Sequence, residues 1–212
     1  VRPADHSRLP GNAPFSNSNL AAPRTDLSGP HRPAPSHEVC LIRCAVFIDG
    51  NNVFHSARQL GFEVDYAKLL GVLTEDRELL RAFFYTGVDE NAERQRGFLH
   101  WMRRNGFRVV QKPVKVERDG SRRARLEVEI TTDMMSYADK VDLIVLVSGD
   151  DDFAYPLQAL AQKGVRVEVA GFRSAMANRT LDAADRFIEL DQHISAFRKA
   201  AGEDPDDWRE SL

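Results

Sequence analysis

The sequence is poor in cysteine and has no long apolar run, and both absences limit what the protein can be. Its two cysteines, Cys40 and Cys44, lie four positions apart, and no histidine or cysteine cluster completes a zinc site around them. We interpret them as free thiols of a reducing compartment. No stretch approaches the roughly 18 apolar residues of a membrane span, and the first residues lack the hydrophobic core of a signal peptide. We therefore expect a cytoplasmic protein with no membrane partner.

Signatures of nucleotide binding are missing as well, and the chain is not basic overall. The formal net charge is −3, so a surface for nucleic acid has to come from local segregation of charge. The first apolar run leads into Gly50-Asn51-Asn52 without a Gly-x-Gly-x-x-Gly loop, which argues against a dinucleotide-binding domain. There is no P-loop. Asn51 also stands where an aspartyl-phosphatase of the haloacid dehalogenase type has its second aspartate.

The 212 residues suit one domain with tails. Residues 1–38 are rich in Pro, Ser, Asn and Ala, so they cannot bury enough apolar surface to offset chain entropy and are predicted to be disordered. Residues 39–191 are predicted to form the domain, and 42% hydrophobic residues in the whole chain suffice for a sizeable core. Residues 192–212 are predicted to be a helix followed by an acidic tail.

Short apolar runs alternate with helical patterns through the domain. The runs predict strands at 44–48, 79–86, 107–111, 142–148, 165–170 and 186–190. Helices are predicted at 52–60, 65–74, 91–104, 126–138, 153–163 and 175–183. The charged stretch 112–124 is predicted to be a loop or a β-hairpin around Asp119-Gly120. This alternation predicts an α/β fold whose central, mostly parallel sheet has about five strands and helices on both faces.

Two of the predicted strands end in acidic loops. The first reads VFIDGNN (46–52), with Asp49 at the strand tip, and another reads VLVSGDDDF (145–153), with Asp150, Asp151 and Asp152. In a parallel α/β sheet ligands bind at the carboxyl ends of the strands. If these strands are neighbours, the carboxylates converge and repel one another unless a cation neutralises them. Their hard oxygen ligands favour Mg²⁺ or Mn²⁺. The alternative is that Asp49 and Asp150 are turn or N-cap residues.

Three segments in order resemble the NYN/LabA-like family of PIN-like ribonucleases over about residues 44–190. VFIDGNN resembles the opening Asp-Gly-x-Asn motif of the family, and VLVSGDDDF resembles its Ser-Gly-Asp-x-Asp-Phe signature. The ending LDAADRFIEL (181–190) is similar to its closing segment. A further acidic position of the family, in a Val-Asp-Val context, falls on Glu127 in LEVEITTDM (126–134), and Asp133 matches the Asp of its Asp-Met pair.

The resemblance implies a PIN-like Rossmannoid fold and a metal-dependent ribonuclease that uses Mg²⁺ or Mn²⁺, with endonucleolytic and exonucleolytic cleavage both open. It makes Asp49, Glu127, Asp150 and Asp152 the candidate catalytic and metal-binding residues. Asn52 and Ser148 would support them, and Asp133 would either support them or lie on the helix surface. Asp151 falls at the variable position of the motif and is expected to face solvent. RNA is the expected substrate and DNA the alternative, and the oligomeric state, a homodimer included, stays open.

This sequence departs from the family pattern at two places. Glu127 keeps the charge of the family aspartate but is longer by one methylene, and the Lys-Gly pair that usually precedes it is missing, with Arg125 near the position of the Lys. These departures favour a second hypothesis, in which the domain is a non-catalytic regulatory module that binds RNA or protein. The retained Asp49, Asp150 and Asp152 favour the enzyme.

The segment 91–125 is strongly basic. It holds eleven Lys or Arg residues against three acidic ones, a net charge of +8 in a chain of −3. Cationic side chains next to an acidic site suit a nuclease, because they hold backbone phosphates while the chemistry proceeds elsewhere. A solvated loop or a protein-binding surface is the alternative. The predicted nucleic-acid-binding residues are Arg103, Arg104, Lys112, Lys115, Arg122, Arg123 and Arg125.

Overall fold

The structure, a computed structural model, describes residues 41–89, 93–116 and 122–200, with only the backbone at 122 and 123. The predicted disordered segment 1–38, the turn at Asp119-Gly120 and the acidic tail therefore lie outside the described residues. The strands are β1 (Ile42–Asp49), β2 (Arg77–Val88), β3 (Phe107–Pro113), β4 (Lys115–Val116), β5 (Arg122–Arg123), β6 (Leu143–Val147), β7 (Arg166–Gly171) and β8 (Arg186–Glu189). The helices are α1 (Gly50–Gln59), α2 (Tyr66–Thr74), α3 (Glu93–Arg104), α4 (Glu127–Tyr137), α5 (Ala154–Gln162), α6 (Asn178–Asp182) and α7 (Ile194–Phe197).

Six parallel strands form the central sheet, in the order β3-β2-β1-β6-β7-β8. The predicted parallel α/β sheet is confirmed, with six strands instead of about five. β1 and β6 lie side by side in the middle of the sheet, with Ile48 opposite Val147. Their residues 44–48 and 143–147 are fully buried, because helices cover both faces of the sheet. A strand covered in this way is apolar at successive positions, which is why both strands appear in the sequence as continuous apolar runs.

Helices cover both faces of this sheet and divide the core in two. One core contains Val46, Ile48 and residues of α1, α2, α3 and α7. The other contains Phe47, Phe83 and residues of α4 and α5. The alternation of side chains along β1 separates the two sets, since successive residues of a strand face opposite sides of the sheet. Among the described residues, no helix is both long and apolar enough to cross a membrane.

Glycines follow the ends of three helices, α1, α3 and α5. Gly61, Gly106 and Gly164 have φ angles of +78°, +86° and +84°, a region that glycine adopts without a steric penalty. The predicted hairpin is present as the antiparallel pair of β4 and β5.

Two helix predictions near the carboxyl end of the domain were wrong in extent. The predicted helix 175–183 is reduced to α6, because residues 173–175 form a separate 3-10 turn that packs over the loop after β6. The helix predicted from 192 is the four-residue α7, preceded by another 3-10 turn. The helix predicted at 153–163 begins with a 3-10 turn at Asp151–Phe153.

A buried ion-pair network ties the strands together in the amino-terminal half of the sheet. The carboxylate of Glu168 on β7 is fully buried and lies 2.7 Å from the guanidinium of Arg77, the first residue of β2. Arg166 and Arg186 approach the other carboxylate oxygen at 3.1 and 3.9 Å. A buried carboxylate persists only when cations and hydrogen-bond donors replace its water.

Candidate metal centre

The tip of β1 presents Asp49 to the neighbouring strand. Asp49 caps α1, since its Oδ1 accepts the Asn52 N–H at 3.1 Å. Its other oxygen, Oδ2, accepts the Ser148 hydroxyl at 3.1 Å, and Ser148 Oγ in turn accepts the Asp150 N–H at 3.3 Å. One hydroxyl therefore bridges the two acidic loops, so that the loops converge as the sequence predicts.

The loop after β6 is fixed by a second bond from the first motif. The side-chain oxygen of Asn52 accepts the N–H of Gly149 at 3.2 Å. Asp150 then begins a 3-10 turn, and its Oδ1 accepts the N–H of Asp152 at 2.9 Å. Both aspartates are thus N-caps, as in the alternative interpretation of the sequence. Capping occupies one oxygen of each carboxylate and leaves their other lone pairs for a ligand.

Three carboxylates meet at this edge of the sheet. One oxygen from each of Glu127, Asp150 and Asp152 lies within 4.8 Å of the other two. Glu127 is the first residue of α4, so the helix start brings its longer side chain to the loop after β6. Mg²⁺ binds oxygens at about 2.1 Å, and two ligands on opposite sides of the ion lie roughly 4.2 Å apart. Small side-chain rotations would close the group around such an ion, and the all-oxygen donor set suits Mg²⁺ or Mn²⁺.

Asp49 lies beside this group of three and is electrostatically coupled to it. Burial raises the pKa of the Asp49 carboxyl, and the negative charges of Glu127 and Asp150 raise it further. The Asn52 N–H and the Ser148 hydroxyl act in the opposite direction. Mutual repulsion of this kind is relieved when a cation binds.

Asp133 contacts Tyr85 instead of lying free on the helix surface. Its Oδ2 accepts the hydroxyl of Tyr85 at 2.8 Å. Tyr85 is fully buried and is the register partner of Asp49 on the neighbouring strand. Burial raises the pKa of the tyrosine, and the bond to Asp133 raises it further. Asp133 thus anchors α4 to β2 close to Asp49 and does not belong to the group of three carboxylates.

Hydrogen bonds from the segment around α6 also hold the Asp150 loop in place. The carbonyl of Gly149 accepts the Ala177 N–H at 3.0 Å, and the carbonyl of Asp150 accepts the hydroxyl of the fully buried Thr180 at 2.7 Å. Close contact requires glycine at 149, since an added Cβ would lie 1.9 Å from the carbonyl oxygen of Ala175. Asp151, exposed as predicted, pairs with Arg179 at 2.9 Å.

The predicted basic residues do not all lie together. Lys115 and Arg125 are exposed and flank β5, which leads into α4 and Glu127, at the carboxyl edge of the sheet. Arg104 ends α3, which runs from the carboxyl end of β2 to the amino end of β3, so topology places it away from the carboxylates. Arg103 in the same turn donates to the Gln111 side chain at 2.9 Å. The side chains of Arg122 and Arg123 lie outside the described residues.

Lys112 is engaged within the protein. Its Nζ lies 2.6 Å from Glu129 Oε1 and 2.9 Å from the carbonyl of Arg125. The bond from Lys112 lowers the pKa of Glu129. Lys112 therefore ties β3 to the start of α4, and its contribution to a nucleic-acid surface stays a prediction.

Sequence reasoning missed several residues that hold the site together. Asn51 accepts from Gly87 N–H at 3.3 Å and so links the first motif to β2, and Tyr85, Arg179 and Thr180 have the contacts given above. Asn51 could have been found, because it stands two residues after Asp49 in the first motif, whereas the position of Tyr85 opposite Asp49 depends on the strand register. Nothing local in RSAMANRT (173–180) indicates that it packs on the acidic loop.

Comparisons with known proteins agree with this architecture. The NYN domain model matches residues 43–191. "Low amplitude and bright protein LabA" of Synechococcus elongatus is 33% identical over 171 residues, covering 77% of this chain and 91% of that protein. A crystal structure of a Vibrio parahaemolyticus protein of unknown function is 32% identical, with a TM-score of 0.66, and the match covers 75% of this chain and 97% of that one. The chain therefore belongs to the NYN domain family, is LabA-like, and has the PIN-like fold.

Proposed function

We propose that the protein is a metal-dependent nuclease that hydrolyses phosphodiester bonds, with RNA as its substrate. The observation that carries the proposal is the meeting of Glu127, Asp150 and Asp152 within 4.8 Å, with Asp49 coupled to them, at the carboxyl edge of a parallel sheet. Ligands bind at this edge in open α/β folds. Mg²⁺ or Mn²⁺ is the proposed cofactor because the donors are all carboxylate oxygens.

Each acidic residue has a distinct part in this proposal. Glu127, Asp150 and Asp152 would hold the cation, and Asp49, fixed by Ser148 and the Asn52 N–H, would accept a hydrogen bond from the attacking water. A divalent cation at this position orients a water, lowers its pKa and offsets charge on the scissile phosphate. The basic residues before Glu127 would hold the substrate backbone.

The second candidate is a non-catalytic module that binds RNA or protein. It is favoured by the longer Glu127 side chain and by the missing Lys-Gly pair. Glu127 nevertheless reaches the other carboxylates, and this supports the enzyme over the module.

A cleavage assay on single-stranded RNA and DNA, with Mg²⁺, Mn²⁺ or a chelator, tests the proposal. We expect cation-dependent cleavage of RNA that is lost in Asp150→Asn. Asp139→Asn is the matched control, because Asp139 is exposed (84%) and pairs with Lys163 beyond the end of α4. The same loss in the Asp139 variant, or cleavage that persists in chelator, would refute the proposed chemistry.

Metal binding is measured separately by thermal unfolding. A cation at 100 times its Kd stabilises the fold by about 2.7 kcal/mol, which corresponds to roughly 5–11 °C for a domain of this size. Asp152→Asn should abolish the shift and Asp139→Asn should retain it. A cation-dependent shift without cleavage would favour the non-catalytic module.

A further inference from the structure

The negative charge of the acidic site opposes the binding of a phosphodiester, which is itself an anion. Five carboxylates lie in or next to it: Asp49, Glu127, Asp150, Asp151 and Asp152. One divalent cation balances two of these charges, so a phosphate approaching the loop still meets net negative charge. Like charges within a few ångströms of each other repel strongly near a protein surface. A cation of the protein itself is needed at the same edge.

Arg179 is a basic residue that the structure places directly beside the acidic loop. Its Nη1 lies 2.9 Å from Oδ2 of Asp151, and Asp151 stands between Asp150 and Asp152 in the chain. This ion pair uses one of the five N–H donors of the guanidinium, so the group can hold Asp151 and a phosphate oxygen together. The side chain of Arg179 is 72% exposed, which leaves it accessible to a ligand in solvent.

The backbone that carries Arg179 is fixed to the loop that carries the metal-binding residues. Thr180, its neighbour, is fully buried and donates to the Asp150 carbonyl. Ala177, two residues before it, donates to the Gly149 carbonyl at 3.0 Å. The backbone of Arg179 is therefore held beside the carboxylates by α6, and the ion pair with Asp151 directs its guanidinium.

We infer that Arg179 binds a phosphate of the substrate on the α6 side of the carboxylates and that Asp151 orients it. The inference rests on the proposed function and adds to it a phosphate-binding residue outside the basic segment 91–125. The substrate would then cross the carboxylates, with Lys115 and Arg125 on one side and Arg179 on the other.

The test is binding of a short, labelled single-stranded RNA in Ca²⁺, over a series of salt concentrations. Arg179→Ala should weaken binding about two- to fivefold at low salt, the scale of one exposed charge pair. It should also reduce the salt slope by roughly 0.7, as the loss of one phosphate contact on a single strand does. Arg179→Lys should keep most of the slope, because the slope depends on charge.

A double-mutant cycle separates phosphate binding from mere neutralisation of Asp151. If Arg179 binds phosphate, Arg179→Ala weakens binding in the Asp151→Asn background as well. If it only neutralises Asp151, the effect disappears in that background and the inference is overturned. Arg43 and Asp142, an exposed ion pair (51% and 52%) at the amino end of the sheet, supply the matched controls Arg43→Ala and Asp142→Asn, which should bind as the parent does.

The outcomes also distinguish this inference from the proposed function. Cleavage by the parent with unchanged binding and cleavage in Arg179→Ala would refute the inference and leave the nuclease. RNA binding that depends on Arg179, without cleavage, would refute the nuclease and leave the phosphate-binding role. A parent protein that does not bind RNA at all would overturn both.

Discussion

Gly149→Ala should disrupt the candidate metal centre through a single added methyl group. An alanine Cβ at this position would lie 1.9 Å from the carbonyl oxygen of Ala175, whereas ordinary contact begins at 3.4 Å, so the two backbones have to separate by about 1.5 Å. That movement breaks the bonds from Ala177 to Gly149 and from Thr180 to Asp150. Two hydrogen bonds at about 1 kcal/mol each and overpacking of about 1–3 kcal/mol give a loss of roughly 3–5 kcal/mol.

The loss should appear as a fall in Tm of roughly 6–20 °C and as a weaker stabilisation by Mn²⁺. Gly71→Ala is the matched control, because Gly71 lies inside α2 and nothing approaches its added Cβ within 4 Å. There the same substitution should stabilise the helix by about 0.5–1 kcal/mol and leave the response to metal intact. A Gly149→Ala protein with the parent Tm and metal response would show that α6 does not hold the loop.

Three further predictions concern charge. Because the pKa of Asp49 is raised above its ordinary 3.8, the metal-free fold loses stability as pH rises from that value through the raised one. Asp49→Asn should therefore unfold at higher urea concentration than the parent at neutral pH in chelator, and an advantage that persists well below the ordinary pKa would contradict this cause. Glu168→Gln removes the buried partner of Arg77 and should cost about 3–5 kcal/mol, yet its thermal shift with Mn²⁺ should equal that of the parent, since the network is remote from the carboxylates. Joint neutralisation of the basic residues before Glu127, which are Arg122, Arg123 and Arg125, should lower the salt slope of RNA binding by roughly 0.7 per lost contact. An unchanged slope would show that RNA binds to another surface.

The fold could be predicted from the sequence because its strands are covered on both faces. Residues 44–48 and 142–148 are apolar at every or nearly every position, and such runs indicate central parallel strands. Once the two strands are neighbours, the carboxyl ends of both lie at one edge, so Asp49 and Asp150 converge. The edge strand β8, predicted at 186–190, is short and half-buried, and with it the sheet has six strands instead of about five.

The finer geometry of the site depends on side-chain direction, which the sequence does not give. Asp49 and Asp150 both follow buried strands, yet Asp49 bonds to Ser148 and lies beside the group of three carboxylates. Asp133 is about 240° around the helix from Glu127, and only the packing of α4 shows that this direction meets Tyr85. Arg179 lies at the site because α6 packs on the loop after β6, and no local sequence pattern predicts this tertiary contact.

The lock between α6 and the Asp150 loop also has a consequence for biosynthesis. The pieces of the site extend from Asp49 to Thr180, and parallel strands pair only after the segments between them are available. At 5–20 residues per second, roughly 7–26 s separate the synthesis of these two residues. During this interval the chain on the ribosome lacks first the Asp150 loop and then the α6 segment that holds this loop in place. On the proposed function, a nascent chain would therefore be inactive toward the messenger RNA from which it is being translated.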